Sequence, residues 1–185
     1  MSTNPPVVTL ALPLQPTDHM QGPEHARVTI IEYADFACPT CKVAAPTIKM
    51  LLDQFPNQIR FAYRHFPLED AHPHAVLAAE ASESAAGQGK FWQMHELLFR
   101  NQAHLKDKDL HRYALEVGLD MARYTAEMDD HIYLQRVRDH IESGRRSHIR
   151  ATPTFFINGV VEDISFGMLA LHKAVEAAVA RAHHM

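Results

Sequence analysis

The sequence predicts an α/β fold, a mixed central sheet built from a β-α-β half and a β-β-α half, with a block of helices between the two. Three observations predict it. Val28-Thr29-Ile30-Ile31-Glu32-Tyr33 is β-branched and nearly continuously apolar, the pattern of a strand buried on both faces, and helical spacing follows soon after it. Ile59 to Phe66 alternates with period two and supplies a second strand, so the first half is a parallel pair with a right-handed crossover. Thr154-Phe155-Phe156-Ile157 runs into Asn158-Gly159, a strong hairpin signal, and a last helix follows.

In chain order, residues 1–26 are rich in Pro, Thr and Gln and read as an extended lead-in with a short strand at Val7–Leu10. After the first core strand, a helix is expected to begin at the cysteines. Ile48, Leu51, Leu52 and Phe55 form its apolar face, Pro46 should kink it, and Pro56-Asn57 ends it. From Asp70 to about Arg146 the pattern is helical. His74–Ala86 is Ala-rich and stops near Gly87 and Gly89, and Phe91–Asn101 carries Phe91, Met94 and Leu98 on one side. Asp107 is placed to cap a helix with Leu110, Tyr113, Ala114 and Val117 inward, Asp120 to cap the next, and a further helix spans about Ile132 to Gly144. Val160–Asp163 returns from the hairpin turn. The last helix sets Met168, Leu171, Val175, Ala178, Val179 and Ala182 on one face. Residues 27–183 are therefore expected to form a single domain, with a helical insertion at about 70–147.

The chain has 185 residues, 46 % apolar and 22 % charged, enough to bury a core without disulfide staples. A formal net charge of −4 implies no basic surface, so nucleic acid is not expected as a partner. No membrane span is expected, because no apolar run approaches the roughly 18–20 residues that crossing requires. Met1 to Asp18 has no Lys or Arg, and the apolar stretch Val7–Leu14 is interrupted by Thr9 and Pro13. That is not a secretory signal, and the chain is expected to be cytoplasmic.

Chemistry concentrates at Phe36-Ala37-Cys38-Pro39-Thr40-Cys41-Lys42, which holds both cysteines of the chain. Cysteines this close constrain the unfolded chain little, so their purpose is chemical. A Cys at a helix N-terminus meets the positive end of the macrodipole and unpaired N–H groups, and both favour the thiolate. Cys38 takes that place, and Pro39 suits the first helical position, where its missing N–H is not needed. Cys41 lies on the same helix face and within disulfide reach. The expected roles are an exposed Cys38 as attacker and a deeper Cys41 as resolver of the mixed disulfide. A structural zinc site needs two further ligands. There is no other Cys, and no His-x(3–5)-His pair follows Cys41, so no metal is expected.

The stretch Ile31 to Lys42 resembles the active-site segment of the thioredoxin superfamily. The long helical block, with Phe66-Pro67-Leu68 and His72-Pro73-His74-Ala75, makes the chain similar to the DsbA-like branch over residues 24–183. The resemblance implies a thioredoxin-like fold and a thiol–disulfide oxidoreductase acting on protein thiols and disulfides, with no cofactor; its electron partner is left open between glutathione and another redox protein, since no residue marks the choice. It implies that Glu32, six residues before Cys38, is a buried carboxylate that exchanges a proton with Cys41, and that Pro46 is the family's helix kink. It also implies a cis peptide at Thr152-Pro153, where the Thr152 backbone pairs with an extended substrate. The exported oxidases of the family carry Pro-His between the cysteines. Here the loop residues are Pro39-Thr40, and Thr40 supplies a hydroxyl in place of a cation, which favours a milder oxidoreductase or a reductase. The alternative is a redox-sensing binding module without turnover. His72 and His74 read as surface or capping residues and His183-His184 as a polar tail. The helices between His72 and Arg146 are expected to set substrate choice.

Overall fold

The structure, a computed structural model, describes residues 8–183, and the side chain of His183 is not among what it describes. Val7 of the expected lead-in strand and His184 of the tail lie outside the described residues. Five strands form one mixed sheet: β1 (His19–Gln21), β2 (Val28–Ala34), β3 (Ile59–His65), β4 (Thr154–Ile157) and β5 (Val160–Glu162), in the order β1-β3-β2-β4-β5. The helices among the described residues are α1 (Pro39–Gln54), α2 (Ala75–Ala86), α3 (Phe91–Arg100), α4 (Asp107–Glu116), α5 (Met121–Asp129), α6 (Leu134–Arg146) and α7 (Met168–His183). The chain divides into two compact units. The first comprises Met1–Tyr33, Pro46–Arg64 and Ser143–Met185, the second Ala34–Ala45 and His65–Glu142.

The first unit carries the sheet apart from the last residues of β2 and β3. β2 is central, which is why its sequence is apolar on both faces, and Thr29 is its half-buried exception. β4 lies antiparallel to β2, with Glu32 opposite Phe155, and Tyr33 meets Phe156 edge to face at 6.1 Å. The hairpin turn is as expected: Asn158 and Gly159 take φ of 49° and 81°, the paired left-handed conformation that a two-residue turn between twisted strands requires. Asn158 also stitches the turn to β2, since its Oδ1 accepts from Thr29 N–H and its own N–H donates to the Thr29 carbonyl, both at 2.8 Å. Leu171, Val175, Ala178 and Val179 of α7 are buried, as the helical spacing predicts. Pro46 sits inside α1.

The lead-in is more ordered than an extended segment. Thr9 bridges to Val160, with Leu10 N–H bonded to the Gly159 carbonyl and Val161 N–H to the Val8 carbonyl, so residues 8–10 lie along β5. β1, which the sequence does not announce, pairs antiparallel with β3 through His19–Tyr63, Met20–Ala62 and Gln21–Phe61. Three residues of mixed polarity carry no periodicity, so the strand exists because β3 offers a ladder there. Gly22 ends it at φ 86°, where a Cβ would lie 2.1 Å from the Ile59 carbonyl oxygen. Beside β1 is Arg64, fully buried. Its guanidinium forms a two-pronged pair with Asp18 at 2.9 and 2.7 Å, and donates to Tyr33 Oη and to the carbonyls of Leu12 and Pro13. Burial alone would lower the Arg64 pKa, yet the bonds to Asp18 and Tyr33 outweigh it and hold the pKa above its ordinary value.

In the second unit the Ala-rich α2 is buried on most of its surface, and its small side chains let α3, α4 and α5 pack around it. Glu83 of α2 is buried against His65 Nε2 at 2.8 Å and Arg136 Nε at 2.6 Å, and the His65 ring stacks on His140 at 5.5 Å. Asp120 caps α5 by accepting the Arg123 N–H at 3.1 Å. Asp107 is not the cap of α4. Lys106 holds the N-cap position, and the Asp109 carboxylate accepts its N–H at 3.3 Å, which leaves Asp107 as the first helical residue, where an acid still suits the dipole. α6 begins at Leu134, later than Ile132, after His131 at φ 50° interrupts the helical path. No helix among the described residues is long and apolar enough to cross a membrane.

Candidate active site

β2 delivers the chain into the segment Asp35–Cys38, and α1 starts at Pro39. Cys38 is the N-cap: its N–H donates to the Asp35 carbonyl at 3.1 Å, and its carbonyl accepts from Lys42 N–H at 3.2 Å, the first bond of the helix. Pro39 occupies the first helical position, as expected. The two thiols are unequal in access, Cys38 at 6 % exposure and Cys41 at 0 %, with Pro39 and Thr40 exposed beside them. A sulfur at the open end of a helix dipole with a second sulfur one turn deeper can exchange disulfides in sequence, the outer one attacking and the inner one resolving.

Cys38 is less open than the sequence suggests, and its loop is held by a residue that sequence reasoning missed. Gln102, just beyond α3, donates from Nε2 to the carbonyls of Phe36 and Cys38, both at 2.8 Å. The clamp ties the loop to the end of α3 within the second unit. Phe36 then packs with His65, His95 and Phe99 at ring distances of 6.0, 5.7 and 5.0 Å. No sequence signal marks Gln102, which stands 64 residues from Cys38.

Asp35 was equally silent. Its buried carboxylate accepts the N–H of Ala37 at 2.7 Å, the N–H of Leu68 at 2.8 Å and Nδ1 of His72 at 2.7 Å, while its main-chain N–H donates to Cys41 Sγ at 3.5 Å. His72 is thus neither a plain surface residue nor a cap. Its ring is tied to the residue that touches the inner cysteine.

Cys38, Pro39, Thr40 and Cys41 come together in the second unit, whereas Glu32, Thr152 and Pro153 belong to the first. There Glu32 is 2 % exposed, a buried carboxylate on a central strand. Thr152 and Pro153 are buried immediately ahead of β4, and the peptide bond between them is cis.

The profile of the family described as Thioredoxin matches residues 14–177. The chain belongs to the thioredoxin family. Within that family its fold is that of the DsbA-type oxidoreductases. A thioredoxin-like oxidoreductase from Silicibacter pomeroyi is 26 % identical, with a TM-score of 0.75 over 92 % of this chain and 95 % of that one. The α-DsbA1 of Wolbachia pipientis, 20 % identical, gives a TM-score of 0.78 over 94 % and 96 %. A curated relative of another kind is a Na⁺/H⁺ antiporter NhaA from Salinispora arenicola, 42 % identical over 94 % of this chain. The match spans 27 % of that relative's length, so the chain corresponds to about a quarter of it. The expectation of a cytoplasmic protein is overturned by these neighbours. Among them, with a TM-score of 0.71 at 18 % identity, is a periplasmic thioredoxin-like protein from Salmonella enterica serovar Typhimurium. The N-terminal composition from which cytoplasm was read says nothing of the compartment in which this fold works.

Proposed function

We propose that the chain is a thiol–disulfide oxidoreductase that exchanges a Cys38–Cys41 dithiol and disulfide with protein substrates, residues 27–183 acting as its catalytic domain. The observation that carries the reading is the placement of Cys38 as N-cap of α1 with Cys41 wholly buried one turn further on. The Cys38 thiolate attacks a substrate disulfide, one substrate sulfur leaves with the electron pair and takes a proton, and a mixed disulfide remains on Cys38. Cys41 then attacks Cys38 and releases the second substrate sulfur. Run in reverse, the same steps oxidise a substrate dithiol. In the same proposal Glu32 accepts and returns the Cys41 proton, supported by its burial and by the family resemblance, and Thr152-Pro153 serves as the platform for an extended substrate segment. Glutathione or a second redox protein restores the pair.

The test is a trap. Cys41→Ser should accumulate mixed disulfides on Cys38, resolvable on non-reducing gels and by mass spectrometry, and the unaltered protein should reduce insulin in the presence of a thiol donor. Absence of both sinks the proposal.

A second reading, a redox-sensing module without turnover, is favoured by the relatives in which a segment like this chain makes up about a quarter of a Na⁺/H⁺ antiporter. Such a module reports the state of its cysteines to a partner. It should bind that partner in one redox state and show no insulin turnover.

A further inference from the structure

Asp35 lies three residues ahead of Cys38 with 1 % exposure, and every group bonded to it belongs to the second unit. Oδ1 accepts from Ala37 N–H, and Oδ2 takes both the Leu68 N–H and His72 Nδ1. An ionised carboxylate offers acceptors alone, so His72 Nδ1 carries the hydrogen and donates it. The residue is therefore fixed by three donors, two from the loop that precedes α2. It in turn directs its own N–H onto Cys41 Sγ at 3.5 Å, a hydrogen-bonding distance for sulfur. A donor aimed at a sulfur favours the anion over the thiol.

We propose that Asp35, held by His72 and Leu68, is a positioning residue for the inner half of the exchange, its main-chain N–H steadying Cys41 as a thiolate. The proposal rests on the exchange reading above and deepens it. In the step concerned, the Cys41 thiolate attacks the Cys38 sulfur of the mixed disulfide. The Cys38–Cys41 bond forms while the bond from Cys38 to the substrate sulfur breaks, and that sulfur leaves with the electron pair and takes a proton. The protein's dithiol has been oxidised and the substrate disulfide reduced to two thiols. In the opposite direction the same N–H receives Cys41 as the leaving thiolate. Outer attack by Cys38 draws on the helix N-terminus and does not need this donor.

The two halves separate in stopped flow with a chromogenic aromatic disulfide and the full chain in its dithiol form. The first equivalent of coloured thiolate reports attack by Cys38, the second reports resolution by Cys41. His72 is 23 % exposed, so His72→Ala removes the tie with little threat to folding. It should slow the second release by about tenfold, the loss of a bond to a charged group, with the first release unchanged. His72→Asn, whose amide can return an N–H to Oδ2, should recover most of the rate. Asp35→Asn, which keeps one acceptor oxygen, should also slow the second release selectively. Equal slowing of both releases, or no change in either, overturns the positioning role and leaves the exchange reading standing. No first release from the unaltered protein sinks the exchange reading, and the positioning role with it.

Discussion

Thr40 stands exposed between the cysteines, where a cation would bear directly on the Cys38 thiolate. Thr40→His should stabilise the reduced form and make the disulfide more oxidising, by about 30 mV for each tenfold shift of equilibrium. Equilibration of the pair against glutathione buffers measures it, and an unchanged or more negative potential refutes the reading of Thr40. Tyr124 offers a second test at this scale. Its hydroxyl is buried with no hydrogen-bond partner among the described residues, and burial, with the Asp107 charge adding to it, pushes its pKa well above the ordinary phenol value. The folded protein therefore keeps a proton that the unfolded chain gives up above about pH 10, so stability should fall as pH rises past that point. Tyr124→Phe should remove this alkaline loss and leave stability at pH 7 equal or up to about 1 kcal/mol higher, because an unsatisfied polar group is removed without a cavity. Urea unfolding at both pH values checks the sign. The cysteines were legible in the sequence because their chemistry depends on near neighbours. Gln102 and the Asp35–His72 tie were not, because neither residue type nor local spacing marks a hydrogen bond made across 64 or 37 residues.

The elements that the sequence placed well are those with a period. β2 and α7 present apolar residues at strand or helix spacing to a core, and burial follows the spacing, whereas β3, whose sequence alternates with period two, is buried on both faces from Phe61 to His65 because it lies between β1 and β2. The β4–β5 turn is legible for another reason, since Asn-Gly meets the left-handed demand of a two-residue hairpin without cost. A Cβ on Gly159 meets nothing within 4 Å, so Gly159→Ala tests the backbone alone. The expected loss is about 1–2 kcal/mol, read as a lower urea midpoint at unchanged slope. A loss near zero would mean that the turn relaxes out of its left-handed conformation. β1 and the Lys106 cap of α4 escape sequence reasoning because each depends on one partner, a β3 ladder and the Asp109 carboxylate, with no pattern to amplify it.

For the molecule as a whole, Arg64 adds a buried polar anchor to the strand contacts that make the lead-in part of the fold. It gathers Asp18, the carbonyls of Leu12 and Pro13, and Tyr33 around one fully buried guanidinium. Arg64→Met would leave the Asp18 carboxylate buried without its cation and the Leu12 carbonyl without its donor, so global stability should fall by about 3–5 kcal/mol. Guanidinium unfolding measures the loss, and pairing the change with Asp18→Asn should recover part of it. A loss under about 1 kcal/mol would show that the lead-in is not integral to the fold. The sequence by itself determined the fold class, the order of the main elements and the two reacting sulfurs, because periodicity, turn chemistry and a Cys at a helix start act over a few residues. Tertiary structure alone decided that the lead-in supplies β1, that Gln102 restrains the Cys38 loop, and that a buried Asp35 turns its N–H onto Cys41. Those outcomes rest on bonds that join β1 to β3, Gln102 to the Cys38 loop, and Leu68 and His72 to Asp35, segments far apart in the sequence, and such bonds exist only once the chain has folded.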